Sequence, residues 1–376
     1  MRHKSKAAAT QRQNHVNKQV QRAGENSRQL QAGRDIIVAG VSAADVVEIT
    51  QKEVGRVLDE LTSSARGKAD TRIKALASRV IAEFRDRPEL FEAFSDPDFQ
   101  YSLQDAGRAA ASNDDEHTEQ LLIDLLANRA KEGNSSRVRL ATSQAVRAAD
   151  KLSLKALNGL TAIWAVGSLG PLSEAFADQI TWATITAEVL VGLGLPTDSG
   201  WVRDADVLNL VRVHNGTLMN RTPHKTLLAS KMAVNMVAGI DMEASGPLVA
   251  TAASAIPKLN EQLIPHPLKP GFLRLNSRDK DELLARLPDH AAKSPELQQL
   301  IEQNGYGSQD HAAVTRLHET IATIPALTTL AKWWDNTPPL DFTVVGDVVA
   351  FVNARRHLSF RGAGTVAELL QLRSQQ

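Results

Sequence analysis

The residues able to do chemistry are spread thinly along this chain of 376 residues. It contains no cysteine, which removes thiolate nucleophiles, thiolate metal sites and disulfides together. His311 and His318 stand seven residues apart, about 10 Å along a helix axis, too far to share one ion. His214 and His224 flank an expected break, where they could approach each other; such a pair reads as structural. Asp114, Asp115, Glu116 and His117 read as negative charge at a helix N-terminus rather than as a metal site. Neither a G-x-G-x-x-G nor a G-x-x-x-x-G-K-[ST] phosphate cradle occurs, and there is no G-x-S-x-G nucleophile elbow. Gly192 and Gly194 lack a strand before them, and Arg221 lies too close to His224 for the Arg/His spacing of helical nucleases. These residues single out no catalytic group, no metal ligand and no cofactor site. Whether the protein is an enzyme stays open, with the balance against it.

Charge is the next guide. The 43 Lys and Arg residues balance 43 Asp and Glu, so bulk electrostatics favour neither nucleic acid nor a membrane surface. Residues 1–34 depart from that balance. Arg2, Lys4, Lys6, Arg12, Lys18, Arg22, Arg28 and Arg34 stand against the single acid Glu25, a net +7 that leaves −7 for the remainder. Rich in Gln, Asn and Ser and without an apolar pattern, this stretch is expected to be a disordered basic tail. Such an arm can contact phosphates without sequence preference, with Arg2, Lys4, Lys6, Arg12, Lys18 and Arg22 as the contacting residues. The N-terminus has no apolar h-region and does not read as a signal peptide. The most apolar region, Ala156 to Pro196, is interrupted by Glu174, Asp178 and Glu188, short of the roughly 18 clean residues of a membrane span. A cytoplasmic protein without a membrane segment is expected.

The elements that would position these residues are mostly helices. The clear exception is Gln31 to Ser42. Asp35 to Val38 form a β-branched run between Gly33 and Gly40, and Ser42 with Asp45 opens a helix. A lone exposed strand leaves unpaired backbone groups; it could form a hairpin with Val16 to Val20, pack as coil on the body, or pair with a copy from another chain, and strand addition is favoured because it satisfies the backbone without further sequence. Gln31, Gly33, Arg34, Asp35, Ile36, Ile37 and Val38 are therefore the candidate oligomerisation residues. Beyond it, Val47, Val54, Leu58 and Leu61 share one helical face, as do Ile73, Leu76, Val80 and Phe84, with a break expected near Ser63-Ser64 and Gly67. Pro88 and Asp96-Pro97 mark helix starts, and Asn113-Asp114-Asp115 starts a helix that buries Leu121, Leu122, Leu125 and Leu126. Helices are expected at Arg137 to Lys151, Ser153 to Val166 and Leu172 to Gly194. Leu195 to Gly200 is the clearest loop and the expected domain boundary. Met232, Met236 and Met242 read as core filler, Trp333 and Trp334 as anchors, and Thr343 as the N-cap of a helix with Val345, Val348 and Val352 on one face.

Three groups of residues resemble a family of uncharacterised bacterial helical proteins often suspected of roles in phage defence. The first is Gly24-Glu25-Asn26-Ser27 with Gln31-Ala32-Gly33-Arg34-Asp35-Ile36 and Ser42, although Glu25 stands where Asp is usual. The second is Asp96-Pro97-Asp98-Phe99-Gln100-Tyr101-Ser102-Leu103, followed by Leu121-Leu122-Ile123-Asp124-Leu125-Leu126-Ala127-Asn128-Arg129. The third is Val344-Val345-Gly346 with Asn353 and Arg355-Arg356. Together they cover roughly residues 24–165 and 333–357. The resemblance implies a helical body and, by association, defence; it carries over no catalytic residue. Similar Gln-Ala-Gly strands sit beside effector and sensor domains in bacterial conflict proteins, which implies an assembly element.

The expected fold is mainly α: a basic tail over 1–34, a short β element over 35–41, and helical domains over 42–197 and 201–376. The expected function is a non-enzymatic interaction protein, homo-oligomeric through the strand motif, in bacterial antiphage defence, with an effector or sensor protein as partner. The alternatives are a nucleic-acid-binding protein using the arm and a hydrolase with its site in 201–330.

Overall fold

The computed structural model describes residues 48–49, 51–52, 55, 63–85, 87–131, 136–214 and 221–358. The fold is mainly α. Its first part is a set of helices: α1 (Ser63–Arg85), α2 (Pro97–Ser112), α3 (Glu116–Lys131), α4 (Ser136–Ala149), α5 (Leu154–Ser168), α6 (Phe176–Gly192) and α7 (Gly200–Val207). The starts follow local chemistry. Asp96 accepts from the Asp98 amide at 3.0 Å and Pro97 occupies the first turn of α2. Asp115 accepts from the Thr118 amide at 3.0 Å at the start of α3, and Ser153 from the Ala156 amide at 3.2 Å at the start of α5. Gly67 lies inside α1 rather than breaking it, and Pro88–Ser95 is a 3-10 turn. That turn brings Phe91 and Phe94 onto Phe84 and Phe99, with ring centroids 5.1–6.2 Å apart.

The second part alternates short strands and helices: β1 (Val211–Val213), α8 (His224–Lys231), β2 (Ile240–Asp241), α9 (Met242–Ala255), α10 (Leu259–Gln262), β3 (Leu263–Pro265), β4 (Phe272–Leu275), α11 (Lys280–Arg286), α12 (Pro295–Asn304), α13 (His311–Ala322), α14 (Pro325–Asn336), β5 (Leu340–Phe342) and α15 (Val344–His357). None of these strands was expected from the sequence. Each has two to four residues, too few to show alternation. β1 and β5 pair antiparallel, with Val211 opposite Phe342 and Val213 opposite Leu340. β2, β4 and β3 make a three-stranded antiparallel sheet in that order.

The β1–β5 ribbon seats α15, the helix around which the body packs. The Thr343 hydroxyl accepts from the Gly346 amide at 3.1 Å, as the cap expectation required, and donates to the Asn209 carbonyl at 2.6 Å. Gly346 touches the chain before β1 so closely that a Cβ would lie 1.8 Å from the Leu210 carbonyl oxygen. From Val345 to Ala354 every residue is buried, a pattern of a helix enclosed on all sides. α15 packs on α3, α4 and α5, with the Phe351 ring edge-on to Trp164 at 5.6 Å and the Asn353 amide donating to Thr161 at 2.8 Å.

Apolar packing does not divide at Leu195–Gly200. The main cluster runs from Leu76 to Leu358 and takes residues from both sides of that loop, because α14 returns onto α6 and α15 onto α3, α4 and α5. A second cluster lies wholly between Ile240 and Leu300, beneath the three-stranded sheet. Met232 and Met236 are fully buried, whereas Met242, at the first turn of α9, is 36% exposed. The helix expected from Leu172 begins only at Phe176, and Leu172 itself is exposed.

Candidate functional site

Most of the residues weighed for chemistry are structural. Asp114 pairs with Arg72 at 2.9 Å and Asp115 caps α3, so the acidic cluster serves a helix N-terminus. His214 bonds to Asp341 across the β1–β5 ribbon at 2.7 Å. His224 turns into the core, where burial pushes its pKa down to about 4. His266 is held between the Val237 carbonyl (3.1 Å) and the Leu268 amide (3.2 Å). Among the described residues, no three His, Asp or Glu side chains gather to hold a metal ion, and no helix is long and apolar enough to cross a membrane. The candidate assembly residues Gln31, Gly33, Arg34, Asp35, Ile36, Ile37 and Val38 lie outside the described residues, as do Arg2, Lys4, Lys6, Arg12, Lys18 and Arg22.

One polar groove stands out, where the second halves of α1 and α3 meet the last two turns of α15. Glu83 and Arg87 contribute one wall, Asp124, Asn128 and Lys131 of α3 the second, and Arg355 and Arg356 of α15 the third, over a floor of Ala127, Phe351 and Val352. The sequence builds α3 for this. Its apolar run Leu121, Leu122, Ile123, Leu125 and Leu126 is buried, while Asp124 and Asn128, four residues apart, fall on one face and open into the groove. Arg129, next along, points the other way and is 2% exposed, clamped by Asp96 at 2.8 Å and Asp98 at 3.2 Å. That clamp ties α3 to the α2 cap and joins the two halves of the second sequence motif.

The charges in the groove are unequal. Arg87, Lys131, Arg355 and Arg356 outnumber Glu83 and Asp124. Arg87 is partly spent on Glu83 at 3.2 Å, and Lys131 and Arg355 have neighbouring partners. Burial raises the Asp124 pKa above the usual carboxylate value; the Gln120 amide, which donates to it at 3.0 Å, Arg356 and Arg87 work against that rise, and Glu83 adds to it. Gln120 is in turn fixed by Arg79 at 2.6 Å, so the carboxyl is held in place from behind. Asn128 is 6% exposed, and its amide nitrogen has no hydrogen-bond partner. A buried donor left unmet costs about 1–3 kcal/mol and marks a place where a ligand atom would be welcome. No hydroxyl or imidazole lines the groove. Its side chains could bind a negatively charged group, with Asp124 able to accept a hydrogen bond or, when protonated, to donate one.

The sequence reading passed over Glu83, Arg87, Asp124 and Lys131 as site residues. A signal was present: Asn128 and Arg355-Arg356 belong to the second and third motif groups, far apart in sequence, and the fold brings them into one groove.

Residues 40–362 match the model of a family described only as ":-like", a description that names no activity, substrate or partner. The chain belongs to that family. Neither a curated protein nor a solved structure matches it.

Proposed function

We propose that this protein is a non-enzymatic interaction protein that recognises an anionic partner in the groove between α1, α3 and α15. The observation that carries the reading is the groove's composition: four cations, from α3, α15 and the turn after α1, around an unmet, buried Asn128 donor, with no hydroxyl or imidazole among the lining residues. The sequence supplies the rest of the proposal. Gln31 to Val38 would join copies of the chain by strand addition, placing the body in a cytoplasmic homo-oligomer. The partner would be an effector or sensor protein of bacterial antiphage defence, the setting that the motif resemblance implies.

The test is binding of an Asp-rich peptide to the full-length protein and to Arg355→Gln/Arg356→Gln. Saturable binding that falls about tenfold in the variant, ~1.4 kcal/mol, is expected. Affinity that is equal in the two proteins, or no binding to either, contradicts the groove as the binding site of an acidic protein partner.

A further inference from the structure

Several places in the body could hold a ligand. An apolar cavity beside His224 is lined by Trp182, Leu227, Leu228, Leu327 and Leu330, but the Lys231 amine at its edge already caps the end of α5 through the Gly167 and Leu169 carbonyls at 3.1 and 2.5 Å. A groove beside the stacked Trp201 and Trp333 has polar walls whose indole Nε1 is spent on the Pro196 carbonyl. Among the described residues, the α1–α3–α15 groove combines several cations with a buried amide donor that lacks a partner.

We propose that the anion recognised in this groove is a phosphate group. The inference rests on the reading of the groove as a recognition site and names the chemistry it selects. Guanidinium groups predominate: Arg87, Arg355 and Arg356 present planar forks that match phosphate oxygens two at a time, which an ammonium does not. A phosphate offers three strong acceptor oxygens and up to two charges, enough to engage guanidinium groups from the α15 and α1 walls at once; a single carboxylate has two oxygens and one charge. The buried Asn128 amide, on the α3 wall, would donate to a phosphate oxygen. Asp124 works against a phosphate: an ionised carboxylate on the α3 wall repels it, and Arg356 beside Asp124 offsets that repulsion.

Two variants separate this role from a structural one. Asn128→Leu removes a buried polar group that has no partner, so the unliganded protein should melt no lower than wild type while binding weakens. Asp124→Asn keeps the shape and removes the opposing charge, so binding should tighten.

The experiment titrates the full-length protein with inorganic pyrophosphate by calorimetry, with a nucleoside diphosphate and an Asp-rich peptide as parallel arms. Saturable pyrophosphate binding is expected, weakened about tenfold or more in Arg356→Gln, ~1.4 kcal/mol, weakened in Asn128→Leu and strengthened in Asp124→Asn. It should be unchanged when Arg2, Lys4, Lys6, Arg12, Lys18 and Arg22 are replaced together by Gln. A tighter nucleoside diphosphate identifies an organic phosphate as the ligand and tighter pyrophosphate an inorganic one; either supports the inference. Binding of the peptide alone overturns the phosphate inference and leaves the recognition groove standing. Binding of neither overturns both. Pyrophosphate binding that survives Arg356→Gln, or that vanishes with the arm charges, places the anion elsewhere and overturns the inference.

Discussion

At the scale of single residues, the body keeps several ionisable groups in surroundings that suit only one of their states. His224 is 4% exposed, lies edge-on to Trp334 with ring centroids 6.4 Å apart, and its Nδ1 has no hydrogen-bond partner. Burial depresses its pKa from 6.5 to about 4. The unfolded chain therefore binds the proton first as pH falls. His224 does not oppose folding above pH 6.5, and stability is lost progressively between 6.5 and 4, by about 3 kcal/mol for a shift of this size. His266 and His318, also lowered chiefly by burial, act in the same direction. The expected result is a melting temperature that drops steeply below pH 6.5, with a shallower drop in His224→Phe. Parallel pH profiles for the two proteins would show that His224 is solvated in solution. Asp124 carries the opposite sign. Its raised pKa means that its ionised form is disfavoured in the folded state, so Asp124→Asn should leave stability at pH 7 unchanged or higher, measured by urea unfolding.

At the scale of elements, α15 is the piece on which the others depend. It enters the core from the β1–β5 ribbon, and Gly346 is the contact that sets its depth. Because a Cβ there would lie 1.8 Å from the Leu210 carbonyl oxygen, Gly346→Ala must displace either α15 or the strand beside it. A loss of about 3 kcal/mol or more is expected in urea unfolding; a change within ~0.5 kcal/mol would mean that this close approach is absent in solution. The sequence announced α15 well. Thr343 reads as a cap and is one, and Val345, Val348 and Val352 read as one buried face. It did not announce that the opposite face is buried too, because enclosure by α3, α4 and α5 is a tertiary fact that periodicity does not carry. The strands were illegible for a related reason: Val211–Val213 and Leu340–Phe342 are partners 127 or more residues apart, and three residues are too few to show a period. Asp124 was legible only as an interruption in a leucine-rich helix; its setting between Arg87 and Arg356 exists only after α1 and α15 arrive. The strand motif Gln31 to Val38 lies outside the described residues, and its prediction stands on sequence. In an inter-chain pairing the face carrying Ile36 and Val38 would be buried, so replacing both with Lys should lower the oligomer mass measured by light scattering while leaving the helical circular-dichroism signal unchanged. An unchanged mass would remove the strand from the assembly.

At the scale of the whole molecule, the charges sort by role. The basic arm carries +7 and the remainder −7, yet the α1–α3–α15 groove concentrates cations within that acidic remainder. Contacts through the arm should be sequence-independent and steeply salt-dependent, with a log–log slope no steeper than roughly −6 on duplex DNA for about seven phosphate contacts. Recognition in the groove should be saturable and localised. Arginine footprinting with phenylglyoxal, read by mass spectrometry with and without saturating pyrophosphate or Asp-rich peptide, tests the central claim most directly. Arg203 and Arg316, exposed on α7 and α13, serve as internal references. The groove account predicts protection of Arg87, Arg355 and Arg356 by the bound anion, with Arg203 and Arg316 unchanged. Protection confined to the arm, or spread evenly over every exposed arginine, would contradict it.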